Sequence, residues 1–165
     1  MAKEYTLPLL LCAFLFFSCD KQPVSEQPAE TVQLDRTDAE LQRIAENARS
    51  TLPSFFRHLA RSGADVHSFC IKYPFISDDG AVSEQLWLTG IRFKNGAYFG
   101  TLANAPQRLN KMKKGGTVSF STDLITDWMY VREGKIIGGY SIKYLLEKTP
   151  EEQRSEEQRR LLQMF

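Results

Sequence analysis

His58 and His67 are the only imidazoles in the chain, and Cys12, Cys19 and Cys70 its only thiols. A metal cage built from them would lean on carboxylates, and no ligand spacing typical of a metal site is present. His67 and Cys70 suggest a thiol–imidazole pair, but at three residues apart on a strand their side chains point to opposite faces. There is no nucleophile elbow, phosphate-cradling glycine loop or His-Glu-x-x-His helix. Gly115-Gly116 follows Lys111, Lys113 and Lys114, yet a strand pattern comes next where a phosphate loop needs a helix. No catalytic set, metal site or cofactor is assigned on these grounds. What the sequence offers is binding chemistry, from Lys72, Glu84, Trp87, Asn104, Asp127, Trp128 and Tyr130. Trp and Tyr beside charges are favoured at binding hot spots, and strand alternation sends Trp128 and Tyr130 to one face and Asp127 and Met129 to the other. The plainer reading has Trp87 and Trp128 filling the core face of a sheet. An enzymatic alternative, a hydrolase or transferase with Glu84 or Asp127 as general acid or base beside Lys72, requires those groups to converge in a pocket.

Cys19 offers a different chemistry. Residues 1–18 run from Lys3 through an apolar stretch, Leu7–Phe17, to the small Ser18, which is the order of a signal peptide. The stretch is about 11 residues, well short of the roughly 20 that span a membrane as a helix. Leu15-Phe16-Phe17-Ser18-Cys19 resembles the bacterial lipobox, with Phe16 where Leu is usual and the bulky Phe17 behind it. The resemblance implies cleavage before Cys19 and transfer to its thiol of a diacylglycerol group, with fatty-acid chains such as palmitate. Each buried methylene contributes about 0.8 kcal/mol, so several chains hold a protein stably on lipid. The expected location is the bacterial cell envelope, on the inner or the outer membrane. With Cys12 removed and Cys19 acylated, Cys70 has no internal disulfide partner and is read as buried. Asp20 to Arg36, rich in Pro, Glu and Gln, reads as a solvated tether that could extend roughly 55–60 Å. The organisation expected is a signal peptide over 1–18, lipidated cysteine and tether over 19–36, and one domain over 37–165.

Composition bounds that domain. With 42% hydrophobic and 25% charged residues the chain has the makings of a globular core, not of a disordered or multispanning protein. Lys and Arg number 21 against 20 Asp and Glu, and losing residues 1–18 removes Lys3 and Glu4, so the balance stays at +1. That neutrality argues against a broad nucleic-acid surface, and no nucleic-acid partner is expected. The expected partners are membrane lipid, through Cys19, and a protein.

The elements that must position the binding residues follow from periodicity. Thr37 or Asp38 is the expected N-cap of a helix with apolar residues at Leu41, Ile44, Ala45, Ala48, Leu52, Phe55, Phe56 and Leu59, broken or kinked before Pro53. After Gly63 the period falls to two, with Phe69, Ile71, Tyr73 and Phe75 on one face of a strand. Further strands are expected near Gln85–Phe93, Ala97–Leu102, Thr117–Thr122 and Trp128–Val131, the first two joined by an Asn95-Gly96 hairpin turn, with Gly138-Gly139 ending the sheet. Tyr144–Leu146 belongs to a short helix, and Pro150 is expected to open a largely solvated last helix. The fold class is α+β: an antiparallel sheet of about five strands, preceded by a kinked helix and followed by C-terminal helices.

Phe69–Phe75, Glu84–Leu88, Gly100–Pro106, Asp127–Tyr130 and Gly138–Ser141 together resemble a bacterial family known as domain of unknown function 2314, over about residues 68–146. Gln85 stands where a His is expected, and Gly116 where an Asp is expected. The resemblance implies no activity. It implies a small stand-alone or accessory domain, sometimes lipid-anchored, of an interaction or immunity-like kind.

Overall fold

Helical spacing of Leu41, Ala48, Leu52 and Phe55 produces α1, Ala39–Leu59, in a computed structural model that describes residues 39–165. The segments expected to be a signal peptide and a tether, Cys19 and the expected Thr37 or Asp38 cap lie outside the described residues. Of the break or kink expected before Pro53, the break does not occur, and α1 runs through the proline for 21 residues. Proline removes the donor that would reach the Arg49 carbonyl and crowds the preceding turn, and side chains add bonds to the two carbonyls before that one. Thr51 Oγ1 donates to the Asn47 and Ala48 carbonyls at 2.8 and 3.2 Å, and the Trp128 indole N–H donates to the Ala48 carbonyl at 2.8 Å. Leu52 and Phe55, buried on either side of the proline, hold the helix on the sheet.

Period-two patterning yields β1 (Val66–Ile76), β2 (Ser83–Lys94), β3 (Ala97–Leu102), β4 (Thr117–Phe120), β5 (Asp127–Arg132) and β6 (Lys135–Gly138). They form one antiparallel sheet in the order β4-β3-β2-β1-β5-β6. The strand beyond the five expected is β6, four residues that pair with β5 from Met129↔Gly138 to Arg132↔Lys135. Asn95 and Gly96 take positive φ, 52° and 80°, and close the β2–β3 hairpin as anticipated. Between β4 and β5 the chain crosses the α1 face of the sheet, where Ile125 is fully buried in the core beneath α1.

Alternation divides the sheet between two cores. Phe69, Ile71, Leu86, Leu88, Trp128 and Tyr130 pack under α1, whereas Cys70, Trp87, Met129 and Val131 pack under α2 (Tyr140–Lys148) and α3 (Glu156–Gln163). The two tryptophans therefore occupy opposite faces, because Trp87 shares the parity of Lys72 while Trp128 pairs with Ile71. Cys70 is buried and free, as read. Pro150 does not open the last helix but precedes a single 3-10 turn, Glu151–Gln153. α3 begins after Ser155, whose hydroxyl accepts from Gln158 N at 3.1 Å while Gln158 Oε1 accepts from Ser155 N at 2.8 Å, a capping box. Only Leu161 of α3 is buried. The Met164 carbonyl then accepts from Ile136 N at 2.8 Å and covers the outer side of β6. Among the described residues no strand pairs with the outer edge of β4, and no helix is long and apolar enough to cross a membrane.

Candidate functional site

Register aligns three of the residues singled out from sequence. Asp127 on β5 stands opposite Lys72 on β1, and Lys72 stands opposite Trp87 on β2, so the three form a row across the face that α2 and α3 partly cover. The row meets the start of α2 because β6 ends in Gly138-Gly139, both left-handed at φ 82° and 65°. A Cβ at Gly138 would stand 2.2 Å from the Trp128 carbonyl oxygen and 2.6 Å from its ring, so only glycine fits. The turn delivers the first amides of α2 to Asp127. Its Oδ1 accepts from Trp128 N at 2.8 Å and Tyr140 N at 3.1 Å, and its Oδ2 from Ser141 N at 2.8 Å and Ser141 Oγ at 2.6 Å.

The electrostatics of this cluster oppose one another. Asp127 is 0% exposed, and burial raises its carboxyl above the ordinary value, while the Ser141 hydroxyl, the Lys72 charge and the Ser141 and Trp128 amides hold it down. Lys72 Nζ donates to Ser141 Oγ at 3.2 Å and lies 5.8 Å from the centre of the Trp87 ring. A serine hydroxyl between an ammonium and a carboxylate has the parts of a nucleophilic site, but Ser141 is 4% exposed and donates its hydrogen bond to a carboxylate already holding three amides. The arrangement fastens a helix N-terminus to a strand. At its rim, Gln85 Oε1 accepts from Thr126 Oγ1 at 2.7 Å, so the position where a His was expected borders this row.

The other candidates do not join it. Glu84 belongs by parity to the α1 face, and its two oxygens accept from Gln107 N at 2.8 Å and Arg108 N at 3.0 Å, which pins the long β3–β4 connection. Glu84 and Asp127 thus lie on opposite faces and do not converge as an acid–base pair. Asn104 Oδ1 accepts from Trp87 N at 2.9 Å and prolongs the β2–β3 ladder past Leu102. Trp128 and Tyr130, 3% and 2% exposed, stack on each other at 5.9 Å within an aromatic cluster containing Phe55, Phe69 and Tyr140, so no partner reaches them on the folded domain. Every buried side-chain N and O among the described residues has a hydrogen-bond partner, and no group of three His, Cys, Asp or Glu side chains gathers for a metal. His58 stacks on Tyr130 at 5.1 Å, and His67 is exposed where Cys70 is buried.

One concave feature, an open groove of ≈ 380 Å³, lies on the α1 face between Arg49, Leu52, Pro53, Phe56, Tyr98, Thr122 and Asp123. None of the residues picked from sequence lines it. Two further surface features escaped notice there. The core under α2 and α3 takes its strand residues from β1, β2, β5 and β6, leaving Phe99 and Thr101 of β3 and Thr117 and Ser119 of β4 on a part of that face which no described helix packs against. From Gln85 to Thr122 there is no carboxylate, while Arg92, Lys94, Arg108, Lys111, Lys113 and Lys114 place six cations there. A net charge of +1 conceals that polarity; a charge count by segment would have disclosed it.

Comparison with known proteins gives two kinds of likeness. Residues 38–161 match the profile of a family described as an uncharacterized protein conserved in bacteria, DUF2314, a longer span than the 68–146 recognised from motifs. A Neisseria meningitidis serogroup B (strain MC58) protein provisionally named as the ankyrin repeat protein NMB1133/NMB1171 is 32% identical over 129 residues, 74% of this chain and 51% of that protein. The chain therefore spans about half the length of that relative. The uncharacterized protein YegJ of Escherichia coli K12 is 34% identical over 110 residues, 67% of this chain and 69% of YegJ. No solved structure matches.

Proposed function

We propose, on the premise that this chain belongs to the DUF2314 family of uncharacterised proteins conserved in bacteria, that it is a membrane-tethered module which holds a protein partner through the open half of its sheet. One observation carries the reading. The polar residues that could have served catalysis are committed to backbone amides and to a helix start, while β3 and β4 present Phe99, Thr101, Thr117 and Ser119 beside a strand edge that no described strand pairs. An unpaired edge is a template for an added strand, and the adjoining side chains give selectivity. This replaces Trp128 and Tyr130 as the expected contact, since their burial removes them from solvent. The name of the Neisseria relative refers to ankyrin repeats, an architecture of stacked repeats with extended binding surfaces, which lends the interaction reading support. The tether and anchor rest on the lipobox-like Leu15–Cys19 segment.

A photo-crosslinking residue placed at Thr101 or Thr117, with Glu157 on the exposed side of α3 as control, tests the surface in cells. A discrete crosslinked protein from the two sheet positions, absent from the control, is expected; identical patterns at all three positions refute the assignment. For the anchor, Cys19→Ser is expected to abolish fatty-acid labelling and release the protein from membranes. Unchanged labelling refutes lipidation.

A further inference from the structure

The β2–β3 hairpin carries Arg92, Phe93 and Lys94 to the end of the sheet and turns at Asn95-Gly96. Phe93 is 63% exposed, and no other large hydrophobic residue among those described is more so. Its ring rests on Tyr98 at 4.8 Å, and Tyr98 rests on Phe56 of α1 at 4.8 Å, so the ring is held outward on a rigid base. Alternation puts Arg92 and Lys94 on the opposite face, both exposed, with the Arg92 guanidinium 5.9 Å from the Phe99 ring. A lone exposed ring is ordinary; one flanked along its own strand by two exposed cations is less so. The hairpin's one carboxylate, Glu84, stands at its far end and holds the Gln107 and Arg108 amides, and from Gln85 to Thr122 the sequence has no other. Of the acidic groups at the same end of the sheet, Asp65 and Glu133 lie by the β1–β5–β6 half, where the Glu133 amide donates to the Asp65 carbonyl, and Asp123, after β4, lines the groove beside Tyr98 and accepts from the Ser121 hydroxyl.

We propose that the tip of this hairpin, residues 92–96, is a membrane-surface contact, in which Phe93 enters the headgroup boundary of a bilayer containing anionic phospholipid and Arg92 and Lys94 meet its phosphates. Charge complementarity selects the occupant: an apolar ring between cations suits an interface that is apolar below and anionic above. Each cation near such a surface changes binding about fivefold, so a tip with two cations and one ring binds weakly alone. Its usefulness in the cell rests on the membrane-tethered reading, in which Cys19 supplies the local concentration. The geometry permits this posture. α1 covers about 32 Å from Ala39 toward the tip's end of the sheet, within the roughly 55–60 Å the preceding tether can reach. A domain standing on its hairpin leaves the β4 edge and the open sheet face turned sideways to a partner.

The test uses the unlipidated chain from Asp20 onward, which retains every described element, with vesicles of phosphatidylcholine alone or mixed with phosphatidylglycerol. Sedimentation with the mixed vesicles only, weakened by salt, is expected. Arg92→Gln with Lys94→Gln is expected to lower binding about 25-fold, and Phe93→Trp to show blue-shifted emission on the mixed vesicles. All three positions are exposed, so circular dichroism is expected to show an unchanged fold. Equal binding by the double variant, or unshifted Phe93→Trp emission, overturns the proposal. So does retention on poly-glutamate without vesicle binding, which identifies an acidic protein as the occupant. Because Cys19 is absent from this experiment, its failure leaves fatty-acid labelling and the crosslinking at Thr101 as separate tests of the tethered interaction module.

Discussion

Replacing Asp127 with Ala tests whether the Lys72–Asp127–Ser141 row is scaffold or chemistry. The substitution strips the acceptor from three backbone amides and the Ser141 hydroxyl, and removes the carboxylate beside Lys72. A hydrogen bond to a charged group contributes about 1.5–3 kcal/mol net, and a lost N-terminal cap costs about 0.5–2 kcal/mol. Breaking a buried ion pair costs about 3–5 kcal/mol. These overlap, since they describe the same oxygens, and Lys72 is only half-buried. Together they predict a loss of about 4 kcal/mol, against a total of about 5–15 kcal/mol for an ordinary domain. The melting temperature should fall by about 15 °C. Asp127→Asn keeps one acceptor oxygen and the shape, and should cost about half as much. Urea titration followed by far-ultraviolet circular dichroism near neutral pH reads both, as a midpoint shift with little change in slope. A loss under about 1 kcal/mol for the Ala variant refutes the reasoning. A gain in stability refutes it more pointedly, because a carboxylate held at a cost to the fold is characteristic of a functional site.

Three further outcomes follow from the geometry. Trp128→Phe deletes the indole N–H that the Ala48 carbonyl accepts and part of a buried ring, and should cost about 2 kcal/mol in the same titration; an unchanged midpoint contradicts the role given to this bond between α1 and the sheet. Gly138→Ala should cost more than 3 kcal/mol or prevent folding, because the new methyl meets the Trp128 carbonyl at φ 82°, whereas Gly134→Ala, in open space at φ 74°, should lose only about 1–2 kcal/mol of backbone strain; comparable losses at both sites would contradict the close approach. Asp127 and Asp79 should respond to pH with opposite signs. Burial raises the Asp127 carboxyl above the ordinary 3.8, so the unfolded chain releases this proton first; that contribution to stability is complete below the ordinary value and is lost as pH rises through the folded one. The Ser77 hydroxyl and the Ala81 amide lower Asp79, whose contribution is present above the ordinary value and lost as pH falls. Carboxyl titration by nuclear magnetic resonance should order the two accordingly, with Ser77→Ala moving Asp79 upward; the reverse order rejects the assignment.

Features set by neighbours along the chain were legible in the sequence, whereas those set by the register of distant strands were not. The β2–β3 turn follows from Asn95-Gly96, whose positive φ values need those residue types. Alternation along Asp127–Tyr130 separates Trp128 from Met129 correctly, since side-chain direction on a strand depends only on parity. Parity cannot say which face of one strand meets which face of another, so Trp87 and Trp128 were grouped though pairing sets them apart. Of the break or kink that Pro53 suggests, the break does not occur, and one contact that holds this part of α1 to the sheet, the Trp128 N–H on the Ala48 carbonyl, comes from 80 residues away. Ser155 outcompetes Pro150 as helix start because Gln158 completes its capping box, a signal that the sequence itself carries. Ser141 had no signal of its own, its role arising only once two left-handed glycines aim the start of α2 at β5.

The stretches that carry the family resemblance interlock in space. Asp127–Tyr130 and Gly138–Ser141 are joined through the Asp127 carboxylate and the contact of Gly138 with Trp128. Phe69–Phe75 contributes Lys72 to the same cluster, and Gly100–Pro106 binds Glu84–Leu88 through Asn104. The Glu84 carboxylate in turn holds the amides of Gln107 and Arg108 just beyond. Polar residues are required at these places because buried amides and carbonyls need partners, and that requirement accounts for the motif without a substrate. In this chain, then, these stretches build a frame. The residues free of this duty are those of the hairpin tip, the β4 edge and the cation-rich half of the sheet. Grafting residues 92–96 or the outward side chains of β4 from one relative to another should therefore transfer binding preference while leaving the Asp127 cluster and the fold intact.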